Sequence, residues 1–317
     1  MEDTQLFSFA KQEFLDTETI TTPRYSYWQW VRRGFFKKKS NWICLGLLAL
    51  VLILAFLYPL RIGYDPEVDP YRNLLDAGAK HLSPKAAMEK FGYNIHWVLG
   101  AGASGQSTFD AVWYGAGVSL ALALICAVIN LTVGIAVGML WGFSKRLDAV
   151  MTEVYNIVSN VPYILLVSVI VLILSAGFWS MVFALTVTGW LPVAYYIRNQ
   201  VLIIRNREYN IASQCLGTPT LRLIRKNILP FMTSNIVTLA ASEIPSYISY
   251  EVFLSYIGLG LSQVSLGKLI QGSQSAMITP GWGFEFWSPV AVASVITVVL
   301  YILGQNLADA SDPKTHR

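Results

Sequence analysis

Long runs that are almost free of charged residues alternate along this chain with shorter polar and basic segments. An apolar run of about 20 residues is long enough to cross the hydrocarbon core of a bilayer as a helix. Runs of this kind are Asn41–Leu60, Ala111–Ser144, two within Val154–Ile197 separated by a turn at Ser175–Ser180, Phe231–Gly260 and Phe286–Ala308. The pattern therefore predicts an all-α polytopic membrane protein with about six transmembrane helices.

Composition agrees with this prediction. Hydrophobic residues make up 54% of the chain and charged residues 13%, whereas soluble domains carry about 25% charged residues. Basic residues concentrate before the first run, after the second and after the fourth: Arg32, Arg33, Lys37, Lys38 and Lys39; Lys145 and Arg146; Arg198, Arg205, Arg207, Arg222, Arg225 and Lys226. Cytoplasmic loops retain such residues, so both termini are predicted to be cytoplasmic.

The chain divides accordingly into five segments. They are a cytoplasmic tail with an interfacial helix (1–40), the first transmembrane helix (41–60), an extracytoplasmic segment (61–110), a core of five transmembrane helices with a cytoplasmic loop at 198–230 (111–308), and a cytoplasmic tail (309–317). The interfacial helix is expected at Tyr25–Phe36, where aromatic and basic residues mix as they do in helices lying among lipid headgroups.

The sequence indicates no catalytic or metal chemistry. The three cysteines and three histidines are scattered, which is typical of neither a metal site nor a disulfide framework. A phosphate-binding loop needs two glycines at fixed spacing followed by Lys and Ser or Thr. The nearest match, Gly267-Lys268, has Leu269 in place of the hydroxyl residue and Ser262 in place of the first glycine. The chain is therefore predicted to bind no ATP, metal or nucleic acid.

Ionisable residues inside the predicted membrane region occur in the fifth run. A carboxylate at the centre of a membrane helix costs roughly 3 kcal/mol, so it faces the bundle interior or water. The candidate pathway residues on this helix are Glu243, Ser246, Tyr250 and Glu251. For Glu243 a pathway and a structural role are equally open, whereas Glu251 fits better as a brace for a loop. An ion-coupled secondary transporter is the alternative function that these acids keep open.

Three glycines recur every fourth residue in the second run: Gly134, Gly138 and Gly142. This spacing places them on one helix face, where small residues allow another helix to approach closely. They are predicted to serve helix packing.

The basic loop after the fourth run reads as two short helices joined at a glycine. The first is expected over Glu208–Leu216, with Gly217 as its left-handed stop. The second is expected from Pro219 to about Ile228, where Pro230 ends it. Leu221, Ile224 and Ile228 would form one apolar ridge on that second helix. Docking into a groove of a partner protein and contact with anionic lipid are equally compatible with this pattern.

Several motifs resemble one family, the membrane subunits of ABC importers for oligopeptides, dipeptides and nickel, and specifically the second of its two permease types. The loop resembles the Glu-Ala-Ala motif of that family, although Ile211 and Ser213 replace its glutamate and its second alanine. Further similar segments are Tyr114–Leu120, Tyr250–Gly260, Leu266–Ile270 and Gly304–Lys314.

This resemblance implies a type I ABC importer fold in a bacterial cytoplasmic membrane. It also implies four partners: a homologous permease subunit, two ATP-binding subunits that hold ATP and Mg, and an extracytoplasmic peptide-binding protein. The implied ATPase-coupling residues are Glu208, Tyr209, Ala212, Ser213, Leu216, Gly217, Leu221, Ile224, Leu229 and Pro230. Oligopeptides or dipeptides are favoured over nickel, because no cluster of His or Cys lines the predicted helices.

Overall fold

A computed structural model of the chain describes residues 27–66 and 80–311. The predicted N-terminal tail before Tyr27 and the C-terminal end after Ser311 lie outside the described residues. The α-helices are α1 (Tyr27–Lys37), α2 (Lys39–Leu52), α3 (Tyr58–Ile62), α4 (Pro84–Phe91), α5 (Thr108–Phe143), α6 (Lys145–Ser159), α7 (Tyr163–Leu174), α8 (Phe178–Thr186), α9 (Trp190–Arg205), α10 (Glu208–Cys215), α11 (Thr220–Leu223), α12 (Thr233–Leu254), α13 (Leu266–Gly272), α14 (Gln274–Ile278) and α15 (Gly283–Ser311).

Several of these helices join through tighter or wider turns rather than through loops. A π-helical turn at Ile53–Leu57 connects α2 to α3, and another at Ile224–Ile228 follows α11. A short 3₁₀ turn then leads into α12. In the part of the chain that the structure describes, β pairing is limited to a bridge between Ala101 and Ser107. The all-α prediction is confirmed.

Within residues 27–66 and 80–311, four continuous helical stretches are long and apolar enough to span a membrane: Lys39–Ile62, Thr108–Phe143, Phe178–Arg205 and Gly283–Ser311. A fifth span arises if α6 and α7, which meet at an angle of 81°, count together. The predicted third span begins at Val154 and therefore includes this bend. Pro162 stands at the bend, where it lacks the N–H that a continuing helix needs, so an uninterrupted apolar run does not give an uninterrupted helix.

The predicted fifth span corresponds to α12, which is shorter and more polar than the other candidates. It has 22 residues, enough for about 33 Å at the usual rise per residue, but it carries two glutamates and four serines. It is therefore not among the helices that qualify by length and composition. Pro245 lies inside it without ending it.

Helix α5 lies at the centre of the bundle and packs most closely against α9. The glycines on its α9-facing side are Gly134, Gly138 and Gly142, all of them buried. A Cβ added to Gly138 would lie 2.8 Å from Cβ of Ile197, well inside the 3.5–4.0 Å at which carbon atoms normally pack. Glycine is thus what allows the two helices to come together.

The first and last helices are joined by polar contacts. The Tyr27 hydroxyl donates to the Ser311 carbonyl oxygen at 2.9 Å, and Lys38 Nζ lies 3.0 Å from the Asp309 carboxylate. Asn306 donates to the side-chain oxygen of Asn41 at 2.6 Å. The N-terminal helix pair is therefore fixed to the C-terminal end of α15.

The start of α5 and the start of α15 lie at one end of the bundle, here called the outer end; the ends of α5 and α9 lie at the other, here called the loop end. At the outer end, His81 Nδ1 is 2.6 Å from Glu285 Oε1, and the His81 ring stacks on Trp282 at 3.6 Å. His96 Nδ1 lies 2.7 Å from Asp110. These contacts hold the segment before α5 against the membrane helices.

Candidate functional site

At the loop end, a helical hairpin formed by α10, α11 and the turn between them projects from the bundle. Gly217 has a φ of 76°, which is the left-handed conformation that suits glycine. Its N–H donates to the Gln214 carbonyl at 2.9 Å, and the Thr218 N–H donates to the Ser213 carbonyl at 3.1 Å. This pair of hydrogen bonds is a Schellman motif, and it turns the chain sharply after α10.

The turn presents apolar side chains to the outside. Leu216 is 87% exposed and Leu221 is 74% exposed. Tyr209 and Ile211 on α10 are exposed as well. An added Cβ at Gly217 would meet nothing within 4 Å. Contiguous exposed apolar residues of this kind mark interaction surfaces on otherwise well-packed proteins.

The predicted ridge of Leu221, Ile224 and Ile228 is not a single exposed face. Ile224 is only 7% exposed and Ile228 is fully buried; both pack in the chain's own core against residues of α9 such as Ile204. The change from α11 to a π-helical turn at Ile224 alters which side chains share a face. The exposed apolar surface is therefore built from Leu221 together with residues of α10 and the turn.

The other coupling candidates lie around this hairpin. Glu208 begins α10, and the Ser213 hydroxyl donates back to the Tyr209 carbonyl at 2.8 Å. Leu229 packs on the core beneath the loop. Pro230 was expected to end the second helix, but it lies in the 3₁₀ turn Leu229–Met232 that continues directly into α12. The hairpin is thus joined without a loop to α12, the helix that carries Glu243 and Glu251. The last candidate, Ala212, lies within α10.

Two asparagines, which the sequence analysis did not single out, anchor the hairpin. Asn210 is fully buried, and its amide donates to the Ile204 carbonyl at the end of α9 at 2.8 Å. Asn227 donates to the Asn210 side-chain oxygen at 3.1 Å. The signal that could have found Asn210 is a lone amide between the apolar positions of a short helix, because a buried amide needs partners.

Ion and backbone contacts fix the membrane helices that bear the loop. Arg198 Nη2 lies 2.7 Å from the Asp148 carboxylate, which also accepts a hydrogen bond from the Trp141 indole at 2.9 Å. Arg205 donates to the Gly142 carbonyl at the last turn of α5. A cation in that position complements the negative end of the helix dipole.

Glu251 on α12 is fully buried and fully hydrogen-bonded. Its carboxylate accepts from Ser265 at 2.6 Å, Ser119 at 2.9 Å and Ser255 at 3.0 Å, and also from the backbone N–H of Gly267. These donors come from α5, the end of α12 and α13. Glu251 therefore ties three elements together, and in this conformation it lines no open pathway.

The remaining pathway candidates on α12 follow one another at spacings of three and four residues, which places them on one side of the helix. Ser246 and Tyr250 line an open cavity of about 230 Å³ with Tyr301 of α15. Glu243 instead interacts with the Tyr247 hydroxyl, which accepts a hydrogen bond from the Asn130 amide of α5 at 2.5 Å. The structure thus brings Ser246 and Tyr250 together at this cavity, and Glu243 lies near enough to Tyr250 to interact with it electrostatically.

The overall arrangement matches a membrane transport fold. Two solved forms of the MetNI methionine ABC transporter match with TM-scores of 0.53 and 0.51, at 19% and 20% identity. The matches cover 64% of this chain and 96% and 94% of the solved chains. The protein has the transmembrane-domain fold of an ABC importer.

Family models narrow the class. Residues 134–317 match the family described as binding-protein-dependent transport system inner membrane component, and residues 26–84 match the N-terminal TM domain of oligopeptide transport permease C. The chain belongs to this family of binding-protein-dependent transport permeases, whose members are transport components rather than catalytic enzymes. The family resemblance predicted from the motifs is confirmed.

Curated relatives are similar over nearly their whole length. The chain is 43% identical to the oligopeptide transport system permease protein AmiD of Streptococcus pneumoniae, over 99% of both chains. It is 30% identical to the oligopeptide transport system permease protein OppC of Bacillus subtilis, over 98% of both. It is 29% identical to the dipeptide transport system permease protein DppC of the same species, over 98% of this chain and 93% of the relative.

Proposed function

We propose that this chain is one of two membrane subunits of an ABC importer for oligopeptides or dipeptides, located in a bacterial cytoplasmic membrane. The observation that carries the proposal is the full-length similarity to an oligopeptide permease at 43% identity. The chain would supply half of the translocation pathway, and a homologous permease subunit would supply the other half. An extracytoplasmic binding protein would deliver the peptide.

Energy would come from two separate ATP-binding subunits, which hold the ATP and Mg²⁺. The hairpin at Gly217 is their docking point in this proposal. Its support is the combination of a rigid, Asn210-anchored base with exposed Leu216 and Leu221 at the tip. Contact with anionic lipid is the competing role, since the exposed Tyr209 and Arg222 lie on the same loop.

Within the membrane, the cavity at Ser246 and Tyr250 is the proposed part of the pathway, together with Glu243 on the same side of α12. The ion-coupled alternative is weakened by Glu251, whose carboxylate is sealed and saturated with donors. Ion coupling needs ionisable groups that exchange protons or cations with the pathway, and on α12 that leaves Glu243 alone.

Uptake of a radiolabelled pentapeptide tests this function. The chain is co-expressed with its permease partner, binding protein and ATPase subunits in cells that lack other peptide importers. We expect uptake to disappear when the ATPase carries an inactivating substitution in its phosphate loop. Uptake should persist when an ionophore collapses the ion gradients while ATP is maintained. Uptake that survives loss of the ATPase but not the ionophore would establish the ion-coupled alternative instead.

A further inference from the structure

A partly open cavity with several polar side chains in its wall lies at the outer end of the bundle, far from the hairpin. Its volume is about 210 Å³, an order of magnitude more than the ~15 Å³ that one water requires. Three elements enclose it: the segment Gly102–Gln106 with the first turns of α5, the α13 helix, and the start of α15. None of the predicted coupling or pathway residues lines it.

One side chain in this cavity has an unused hydrogen-bonding group. Thr108 is 7% exposed, and its hydroxyl has no partner among the described residues. Buried hydroxyls are nearly always hydrogen-bonded, since desolvation without a replacement bond is unfavourable. A molecule bound in the cavity that Thr108 lines could provide this missing hydrogen bond. The unpartnered hydroxyl therefore indicates that the cavity holds a ligand.

The cavity also has two opposite charges in its wall. Glu285 is 5% exposed and is held by His81 Nδ1 at 2.6 Å and by the backbone N–H of Ala103. Lys268 lines the cavity from α13, and its ammonium group also donates to Gln271 at 3.1 Å. The buried Glu285 and the exposed Lys268 thus both line the same cavity.

We propose that this outer cavity binds a small zwitterion that carries an ammonium group and a carboxylate, as a short peptide or a free amino acid does. The ammonium group of the ligand would lie against Glu285 and the Thr108 hydroxyl, and its carboxylate against Lys268. A simple cation would be repelled by Lys268 and a simple anion by Glu285, and a neutral solute would leave both charges without a new partner. A zwitterion satisfies all three groups.

The position of the cavity separates this role from the coupling of ATP to transport. Helix α5 has 36 residues and therefore spans about 54 Å, with Thr108 at its first turn and Gly142 at its last. The proposal stands without the peptide-import function, because it depends on the cavity wall alone. A free amino acid bound here would regulate the permease, whereas a short peptide bound here would be cargo on its way to the pathway.

Equilibrium dialysis of radiolabelled dialanine tests the site. The assembled permease with its partner subunits is placed in lipid nanodiscs, without binding protein and without nucleotide, so that uptake plays no part in the readout. We expect saturable binding that unlabelled dialanine displaces. N-acetyl-dialanine and dialanine amide, which each lack one charge, should compete at least tenfold more weakly.

Three variants assign the contacts. Thr108→Val keeps the side-chain shape and removes only the unpartnered hydroxyl, so the protein should fold normally and bind dialanine roughly fivefold more weakly. Lys268→Met should abolish the preference for dialanine over its amide, and Glu285→Gln the preference for dialanine over its N-acetyl form. Thr132→Val is the matched control, since the Thr132 hydroxyl already donates to the Val128 carbonyl at 2.6 Å; it should bind as the unaltered protein does.

Competition by free alanine identifies the source of the ligand. Alanine that competes as well as dialanine makes the site a sensor of amino acids, and alanine that competes poorly makes it a peptide site; both results support a zwitterion site. Absence of saturable binding overturns the proposal. Equal binding by the Thr108→Val, Lys268→Met and control proteins overturns it as well, because binding would then lie elsewhere in the complex.

Discussion

The junction of α5, α12 and α13 around Glu251 and the hairpin around Gly217 each contain side chains that are unfavourable in their surroundings, a buried carboxylate in one and exposed leucines in the other. At the junction, a carboxylate is buried in an apolar bundle, and three serine hydroxyls and a backbone N–H satisfy it completely. At the hairpin, Leu216 and Leu221 are left in the open although the rest of the loop is tightly anchored. The two regions lie at opposite ends of α12.

The difference separates what the chain completes by itself from what it leaves for a partner. A buried charge with every lone pair satisfied adds rigidity and needs nothing from outside. Exposed apolar side chains on a rigid base need a complementary surface before they are removed from water. Substitutions at the junction should therefore damage the fold, whereas substitutions at the hairpin tip should damage assembly with the ATPases.

Replacing Glu251 with alanine should have the largest effect. The change leaves a cavity and strands the hydroxyls that bonded to the carboxylate, each at about 1–3 kcal/mol. We expect a loss of roughly 3 kcal/mol or more in stability, measured as a lower melting temperature and a lower yield of monodisperse complex in detergent. Glu251→Gln should lose less, and Glu153→Ala, on the exposed α6, should lose nothing. A Glu251→Ala protein that melts with the parent would refute the structural role.

Gly217→Asp should block transport while the chain stays folded. The left-handed backbone costs a substituted residue only about 1 kcal/mol, but an acid then stands in the proposed ATPase groove. Copurification of the ATPase and peptide uptake are the measurements, and both should be largely lost. Gly63→Asp is the matched control, because Gly63 has a φ of 62° with nothing within 4 Å of an added Cβ and lies away from the hairpin. Normal copurification and uptake in Gly217→Asp would exclude the docking role.

Leu216→Ser and Ile224→Ser should separate docking from folding within one loop. Leu216 is exposed, so its loss should weaken ATPase binding about tenfold, as loss of a central interface contact does, without changing the melting temperature. Ile224 is buried, so its loss should cost about 2–5 kcal/mol of stability. The comparison fails if Leu216→Ser lowers the melting temperature, or if it leaves the affinity for the ATPase unchanged.

Glu243→Gln should have the smallest effect. If Glu243 borders the pathway, loss of its charge should change the rate of peptide uptake severalfold while the complex assembles and melts normally. Glu153→Gln on α6 controls for a general effect of removing one acid. Unchanged uptake in Glu243→Gln would return this residue to a structural role, beside Tyr247 and Asn130.

Much of this division could be read from the sequence, and the exceptions have physical reasons. Apolar runs and the Gly217 stop were predictable because they depend on local chemistry. The burial of Ile224 in the chain's own core was not predictable, because the helical repeat of apolar residues does not show whether they pack against the same chain or against a partner. The bend between α6 and α7 was not predicted, because the uncharged run that begins at Val154 continues across it. Glu285 and His81 are 204 residues apart, beyond the reach of any local pattern.

Contact between the two ends of the described chain bears on how often the chain crosses the membrane. Tyr27 bonds to Ser311, so both ends lie on one face, and a chain that returns to its starting face crosses an even number of times. Arg205 bonds to Gly142, so the ends of α9 and α5 lie on the same side of the membrane. The continuous stretch of α8 and α9 crosses once, so the bent pair α6 and α7 must cross once in the opposite direction. That makes five crossings, and parity assigns the sixth to α12, the remaining described helix that is long enough. We infer that α12, which does not qualify as a span by composition, crosses the membrane as well.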